Sequence, residues 1–199
     1  MRNRTAERRV QLVRAAHHVF SAQGYRNTGV SDIVREAGVS HGTFYNYFDN
    51  KRHILDEVLD SGVDFILNEV VGADEPDDAS TSGELAAQFR AILTRVFALV
   101  EREPGLVQFI LLDAPAIDDE SLQRLLRLVR TFGATASAFL ANGVRRGFLR
   151  SDLDTEIAGE GLLSLIISAI LTGVRGGLSP EERDRTIEAF VGFAMTGVR

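Results

Sequence analysis

Apolar positions recur with helical spacing along the whole chain. Between residues 5 and 23 they fall at Leu12, Ala15, Ala16, Val19 and Phe20, an i, i+3, i+4, i+7, i+8 stripe that predicts one long helix. Gly24 stops it. A short helix is expected over residues 30–37. Thr28 is its expected N-cap, Asp32 an acid in the first turn where the helix dipole favours one, and Gly38 the left-handed residue that closes it. Ser40 caps a third helix ending near Phe48, and Asp49 or Asn50 caps a fourth over about residues 51–71.

Residues 72–83 are acidic and contain Pro76, which predicts a loop. Leu85, Phe89, Ile92, Leu93, Val96, Phe97 and Val100 form the next stripe, and Pro104 opens a short helix over roughly residues 105–112. After a break at Pro115, Leu122, Leu125, Leu126, Val129, Phe132, Ala136, Phe139 and Leu140 mark a long helix ending near Arg146. Residues 157–174 are apolar nearly all round, and Ser179–Pro180 opens a last helix with Ile187, Phe190, Val191, Ala194 and Val198 on one face. The pattern predicts an all-α chain of about nine helices, with no alternating strand and no internal repeat.

Composition narrows the chemistry. The 199 residues contain no cysteine, which excludes disulfides, thiolate metal sites and cysteine nucleophiles. His17 and His18 are adjacent, so they point to different sides of a helix, and no metal site is expected. No nucleophile-elbow or phosphate-loop motif occurs, and the C-terminal two-thirds lack His, Lys, Tyr and Trp. No enzyme activity and no cofactor are expected. The first ten residues have no apolar core, and the longest uncharged stretch near the C-terminus, 14 residues between Glu160 and Arg175, is shorter than the roughly 20 that span a bilayer. A soluble, cytoplasmic protein with a buried apolar helix follows as the expectation, with no membrane partner.

The formal net charge of −6 hides a split. Residues 1–53 carry nine cations and four anions, a net +5, and the remainder carries 13 cations and 24 anions, a net −11. The four histidines, the three tyrosines and the sole lysine, Lys51, also lie in the first 53 residues. One reading is a polyanion-binding end; the other is a solvated basic face.

Two short helices joined at Gly38 have the form of a helix-turn-helix. In the second of them Phe44 and Phe48 can face the core. Thr43, Tyr45, Asn46 and Tyr47 then remain outward with hydrogen-bonding groups suited to base edges and phosphates, and Lys51 can reach a phosphate. The run from residue 24 to 55, GYRNTGVSDIVREAGVSHGTFYNYFDNKRHIL, resembles the DNA-binding domain of tetracycline-repressor (TetR) family transcriptional regulators. The matching elements are Gly24-Tyr25, Thr28, Val30, Ile33, Ala37-Gly38-Val39-Ser40, Gly42-Thr43, Tyr45, Tyr47-Phe48 and Lys51. Beyond it, similarity reaches only length, helix count and the turn GFLRSDLD at residues 147–154.

The resemblance implies an N-terminal three-helix DNA-binding domain, residues 1–50, and a C-terminal helical ligand-binding and dimerisation domain, residues 51–199. It implies a homodimer on a palindromic operator, usually a repressor that lets go when a small molecule binds. Ser40, His41, Gly42, Thr43, Tyr45, Tyr47 and Lys51 occupy DNA-touching positions of the family, with Tyr45 and Lys51 on phosphates and His41 and Thr43 on bases or phosphates. Thr28 and Ser31 occupy supporting positions that approach the backbone. Gly29 stands where the family commonly has Thr or Ser, and Val34 where it has Ala.

The C-terminal part offers phenylalanines and few polar groups, which suits a largely apolar ligand. Candidate ligand residues are Phe89, Ile92, Gln108, Phe109, Leu112, Phe132, Phe139 and Ser168, with Arg95 or Arg127 a possible partner for a ligand carboxylate. The last two helices are the candidate dimer surface, through Leu162, Leu163, Ile166, Ile170, Ile187, Phe190, Val191 and Ala194. An apolar-ligand carrier or interaction protein that does not read DNA stays open as the alternative.

Overall fold

The computed structural model describes residues 2–72 and 74–198. Among the described residues all regular structure is helical: α1 Arg2–Gln23, α2 Val30–Ala37, α3 His41–Tyr45, α4 Lys51–Val71, α5 Ser82–Arg102, α6 Pro104–Gln108, α7 Asp119–Arg146, α8 Thr155–Gly176 and α9 Pro180–Val198. They form two compact units, Met1–Phe65 with Gly105–Leu125, and Ile66–Pro104 with Leu126–Arg199.

In the first unit α1 packs on α2, and the α1 stripe Leu12, Ala16, Val19 and Phe20 is buried, as are Ile33, Val34 and Ala37 of α2 and the Phe44 and Phe48 rings. Phe20 also stacks on Phe109 at 6.0 Å between centroids. The α4 start is fixed by ion pairs: Arg52 meets Asp56 at 2.8 Å, Asp118 at 3.1 Å and Glu120 at 3.1 Å, while Arg124 meets Asp56 at 3.0 Å and also pairs with Asp60. Burial pushes the Asp56 carboxyl up, against the pull of its two arginines.

The local signals explain most helix ends. Ser40 accepts the Thr43 N–H at 3.1 Å, Asn50 that of His53 at 2.9 Å, and Asp154 that of Ile157 at 3.1 Å. Ser179 and Glu182 cap each other reciprocally at 3.2 and 2.9 Å. Two ends differ from expectation. The N-cap of α2 is Gly29 and not Thr28; with no cap side chain present, the Asp32 carboxylate reaches back and accepts the Gly29 N–H at 2.8 Å, the returning half of a capping box. The third helix stops at Tyr45, so Asn46 and Tyr47 continue as turns. The expected short helix near residues 105–112 also divides. After α6 the chain widens into a π-turn, Phe109–Asp113, in which the Ala114 N–H reaches back to the Phe109 carbonyl. Pro115 has no N–H to carry the ladder on, and the chain leaves through a 3-10 turn, Ala114–Ala116.

The second unit packs α5, α8 and α9 against one another, with the later turns of α7. The α5 stripe is buried along its length, and the acidic loop is strapped down by Asn142, which donates to the Ala79 carbonyl at 2.8 Å, and by Arg145 and Arg146. Gly159 carries the α7–α8 crossing: a Cβ there would lie 2.7 Å from the Ser137 backbone nitrogen and 3.0 Å from the Gly133 carbonyl. Gly159→Ala is therefore expected to destabilise the fold by about 2 kcal/mol through forced separation of the helices, read as a lowered urea midpoint at unchanged m.

The apolar helix expected to be buried is not buried within one chain. Thr155–Val174 has mean hydropathy 1.9 over 20 residues, long and apolar enough to cross a membrane by length and composition, yet only 17% of it is buried. The expectation considered how apolar the residues are; the chain supplies neighbours for only one side of the helix.

Candidate nucleic-acid interface and ligand cavity

Helices α2 and α3 meet at Gly38, whose φ of 62° and ψ of 38° place it in the left-handed region as the sequence predicts. The orphan carbonyl of Ala37 accepts from the Gln11 side chain at 2.7 Å, which fixes the turn against α1. Phe44 on α3 and Phe48 just beyond it are 0% and 1% exposed, and Tyr45 is 55% exposed beside the Phe44 ring. His41, Gly42, Tyr45 and Asn46 form an exposed row, with Thr43 and Tyr47 half-buried. Ser40 and Thr43 hydroxyls bond each other at 2.9 Å. Ser31 is exposed on α2.

Two expected contacts are placed otherwise. Thr28 is 2% exposed, and its hydroxyl donates to the Gly24 carbonyl at 2.9 Å, so it braces the α1–α2 loop from inside and does not approach a DNA backbone. Lys51 turns its ammonium inward. It donates to the Tyr25 carbonyl at 2.9 Å and the Thr28 carbonyl at 2.7 Å, and stands 4.2 Å from the centre of the Tyr25 ring. The sequence gives no sign of these partners, because two unmatched loop carbonyls look like any others until the loop is folded. Arg9 was missed for a similar reason: it covers the Phe48 ring at 4.8 Å and pairs with Glu57 at 2.8 Å, holding that carboxyl below its usual range.

In the second unit a narrow apolar cavity of about 60 Å³ opens between helices. Its walls are Val70 and Val71 of α4, Phe89, Ile92 and Leu93 of α5, Phe132, Thr135, Ala136 and Phe139 of α7, Leu162, Leu165 and Ile166 of α8, and Phe190, Val191 and Ala194 of α9. Its one side-chain hydroxyl, on Thr135, already donates to the Thr131 carbonyl at 3.0 Å. Phe89, Ile92, Phe132 and Phe139 thus line the cavity as expected, while Gln108, Phe109, Leu112 and Ser168 do not. Phe109 is wholly buried in the first unit, and Leu112 is 45% exposed. Ser168 sits on an exposed side of α8. Arg95 is spent on the end of α4, donating to the Val70 and Val71 carbonyls at 2.8 and 2.9 Å and pairing with Asp74.

The expected dimer set is largely internal. Leu163, Ile187, Val191 and Ala194 are between 4% and 7% exposed in the single chain, and Leu162, Ile166 and Phe190 face the cavity. The uncovered apolar residues on these helices are others: Ile157 at 69%, Phe193 at 72% and Ile167 at 36%.

Residues 12–58 match the family described as bacterial regulatory proteins, tetR family. Over 165 residues the chain is 25% identical to the fatty acid metabolism regulator protein of Bacillus subtilis, covering 83% of this chain and 82% of that one. It is 27% identical over 154 residues to the transcriptional repressor KstR2 of Rhodococcus jostii, with 76% and 72% covered. Its fold matches the crystal structure of the regulator FadR from Bacillus subtilis in complex with stearoyl-CoA, with a TM-score of 0.69, 20% identity, and 96% and 99% of the two chains covered.

Proposed function

We propose that this chain, whose residues 12–58 match the tetR family of bacterial regulatory proteins, is a cytoplasmic homodimeric repressor that leaves a palindromic operator when an apolar ligand enters its cavity. It is a DNA-binding transcriptional regulator. The observation that carries the reading is the exposed row His41, Gly42 and Tyr45 on a capped helix, continued by Asn46 in the turn after it, over an aromatic backing that is wholly buried. It lies in a segment of net charge +5, which suits a polyanion, whereas the rest of the chain at −11 repels one. We assign DNA reading to residues 1–50, and ligand binding and dimerisation to residues 51–199.

The ligand's buried part is hydrocarbon, because the cavity walls are apolar apart from Thr135, whose only donor is already committed. The relative crystallised with stearoyl-CoA supports a long alkyl chain as the first probe. A dry cavity of about 150 Å³ admits benzene, so a space of about 60 Å³ must widen before it takes a ligand of that size. Occupancy therefore favours a conformation with displaced walls. Two of those wall residues, Val70 and Val71, end the helix that begins at Lys51, which makes α4 the lever.

The test is titration of the wild-type protein against genomic DNA fragments, with and without stearoyl-CoA. The expected result is selection of a palindromic fragment, steep loss of affinity with salt, and release by stearoyl-CoA but not by free coenzyme A. Equal binding to every fragment would reject an operator; selective binding that ignores stearoyl-CoA would leave the regulator and reject this ligand class.

A further inference from the structure

We propose that Arg9 is a positioning residue for DNA reading: it clamps the exit of α3 to α1 and α4, so that Tyr45 and its neighbours meet the duplex in one fixed orientation. The inference rests on the helix-turn-helix being the DNA interface, and it concerns what holds that interface. Helix α3 is only five residues long, His41–Tyr45. So short a helix takes its stability from what it packs against. Its entry is fixed by the Ser40 cap, and the turn before it by the Gln11 bond to the Ala37 carbonyl. Beyond its last residue the amides of Asn46, Tyr47 and Phe48 bond back to the Gly42 and Phe44 carbonyls, which closes the turn on itself and ties it to no other element.

The guanidinium of Arg9 supplies that tie in three ways. It lies over the Phe48 ring, 4.8 Å from the ring centre. Its Nη1 donates to the Tyr47 carbonyl at 3.5 Å. Its Nε and Nη2 meet the two carboxylate oxygens of Glu57 on α4 at 3.1 and 2.8 Å, a paired approach that a planar fork makes and an ammonium does not. Glu57 thus holds the guanidinium and the guanidinium holds Phe48. Phe48 in turn packs on Phe44 at 5.6 Å between centroids, and Phe44 meets the Tyr45 ring edge-on at 5.3 Å. One side chain of α1 therefore joins the α3 exit and α4, 38 and 48 residues away in sequence.

The competing role for an arginine in this basic segment is a phosphate contact, and the two roles differ in sign at Glu57. A carboxylate that competes with phosphate for Arg9 weakens DNA binding, so its removal should strengthen it. A carboxylate that anchors a clamp supports DNA binding, so its removal should weaken it. The experiment uses full-length Glu57→Gln, Arg9→Met and Arg9→Lys with the fragment that the wild type selects, each at a temperature where circular dichroism shows it folded. Operator affinity is expected to fall about tenfold in all three, because a dimer loses two clamps. Lysine keeps the charge but not the fork and should not rescue. Affinity for non-specific DNA and the slope of log K against log salt should stay as in wild type. Tighter operator binding by Glu57→Gln would overturn the proposal. So would a slope smaller by about 1.8 in Arg9→Met with both kinds of DNA weakened alike, the signature of two lost phosphate contacts. Unchanged operator affinity in Arg9→Met, or full affinity in Arg9→Lys, would overturn it as well.

Hydrogen exchange of the free protein adds a readout that needs no DNA. In Arg9→Met the amides of Asn46, Tyr47 and Phe48 should exchange at least about fivefold faster, while those of α2 keep their wild-type rates. Unchanged exchange at these three amides would show that no clamp exists. If the wild type selects no DNA fragment, the DNA reading has failed and the proposal falls with it; faster exchange in that case separates this failure from the absence of a clamp.

Discussion

Tyr45→Ala is expected to weaken operator binding by at least about 100-fold and to leave thermal stability almost unchanged. The two halves of that expectation have separate causes. Tyr45 is 55% exposed, and its own backing, Phe44, is 0% exposed and packs against the Phe48 ring. Truncation therefore opens no cavity and removes only an edge contact with Phe44. A hydroxyl bonded to a phosphate contributes about 1.5–3 kcal/mol, and a symmetric dimer makes the contact twice. Roughly 3–6 kcal/mol then corresponds to about 10²–10⁴ in affinity. Anisotropy on a labelled operator measures the loss, and circular dichroism melting checks the fold. Tyr45→Phe separates hydroxyl from ring: it should reproduce most of the loss if the phenol bonds a phosphate, and little if the ring packs on the sugar. Unchanged affinity in both variants would remove Tyr45 from the interface.

The contrast between Tyr45 and Lys51 shows which parts of the site were legible in the sequence. Outward and inward positions on α3 follow from the spacing of Phe44 and Phe48, a local pattern that one helix turn decides. The bounds of α2, the left-handed Gly38 and the Ser40 cap are local in the same way, and the structure has all three. Lys51 and Arg9 depend on contacts across 23 and 48 residues. Nothing near them in the sequence encodes those partners. The C-terminal half shows the same division. Periodicity identifies Leu163, Ile187, Val191 and Ala194 as one-sided apolar residues, but it cannot say whether the covering surface is this chain or another, and here it is this chain. The π-turn at Phe109–Asp113 lay beyond reach too, because five residues cannot distinguish helical periods that differ by less than one residue per turn.

Phe193→Asp is the corresponding expectation for the far end of the molecule: the dimer should fall to monomers at micromolar concentration, and operator affinity should drop by about 1,000-fold. Phe193 is 72% and Ile157 69% exposed. Both line one shallow groove on α8 and α9 that also contains Gly161 and Gly197, where absent side chains let a neighbouring helix come close. Burying one phenylalanine contributes about 1.5–3 kcal/mol, and a two-fold interface buries it twice. An aspartate there forfeits both burials and brings two carboxylates into apolar surroundings. Within the single chain the change costs little, because the side chain already faces water. Sedimentation should therefore report a folded monomer with the wild-type melting curve at low concentration. The operator effect follows from geometry: a linked second head binds at millimolar effective concentration, and an unlinked one binds only at its own concentration. Affinity for an isolated half-site should accordingly stay the same. A Phe193→Asp protein that remains dimeric would move the interface off this face and leave the low burial of α8 to another partner; one that becomes monomeric but keeps full operator affinity would break the link between dimerisation and DNA reading.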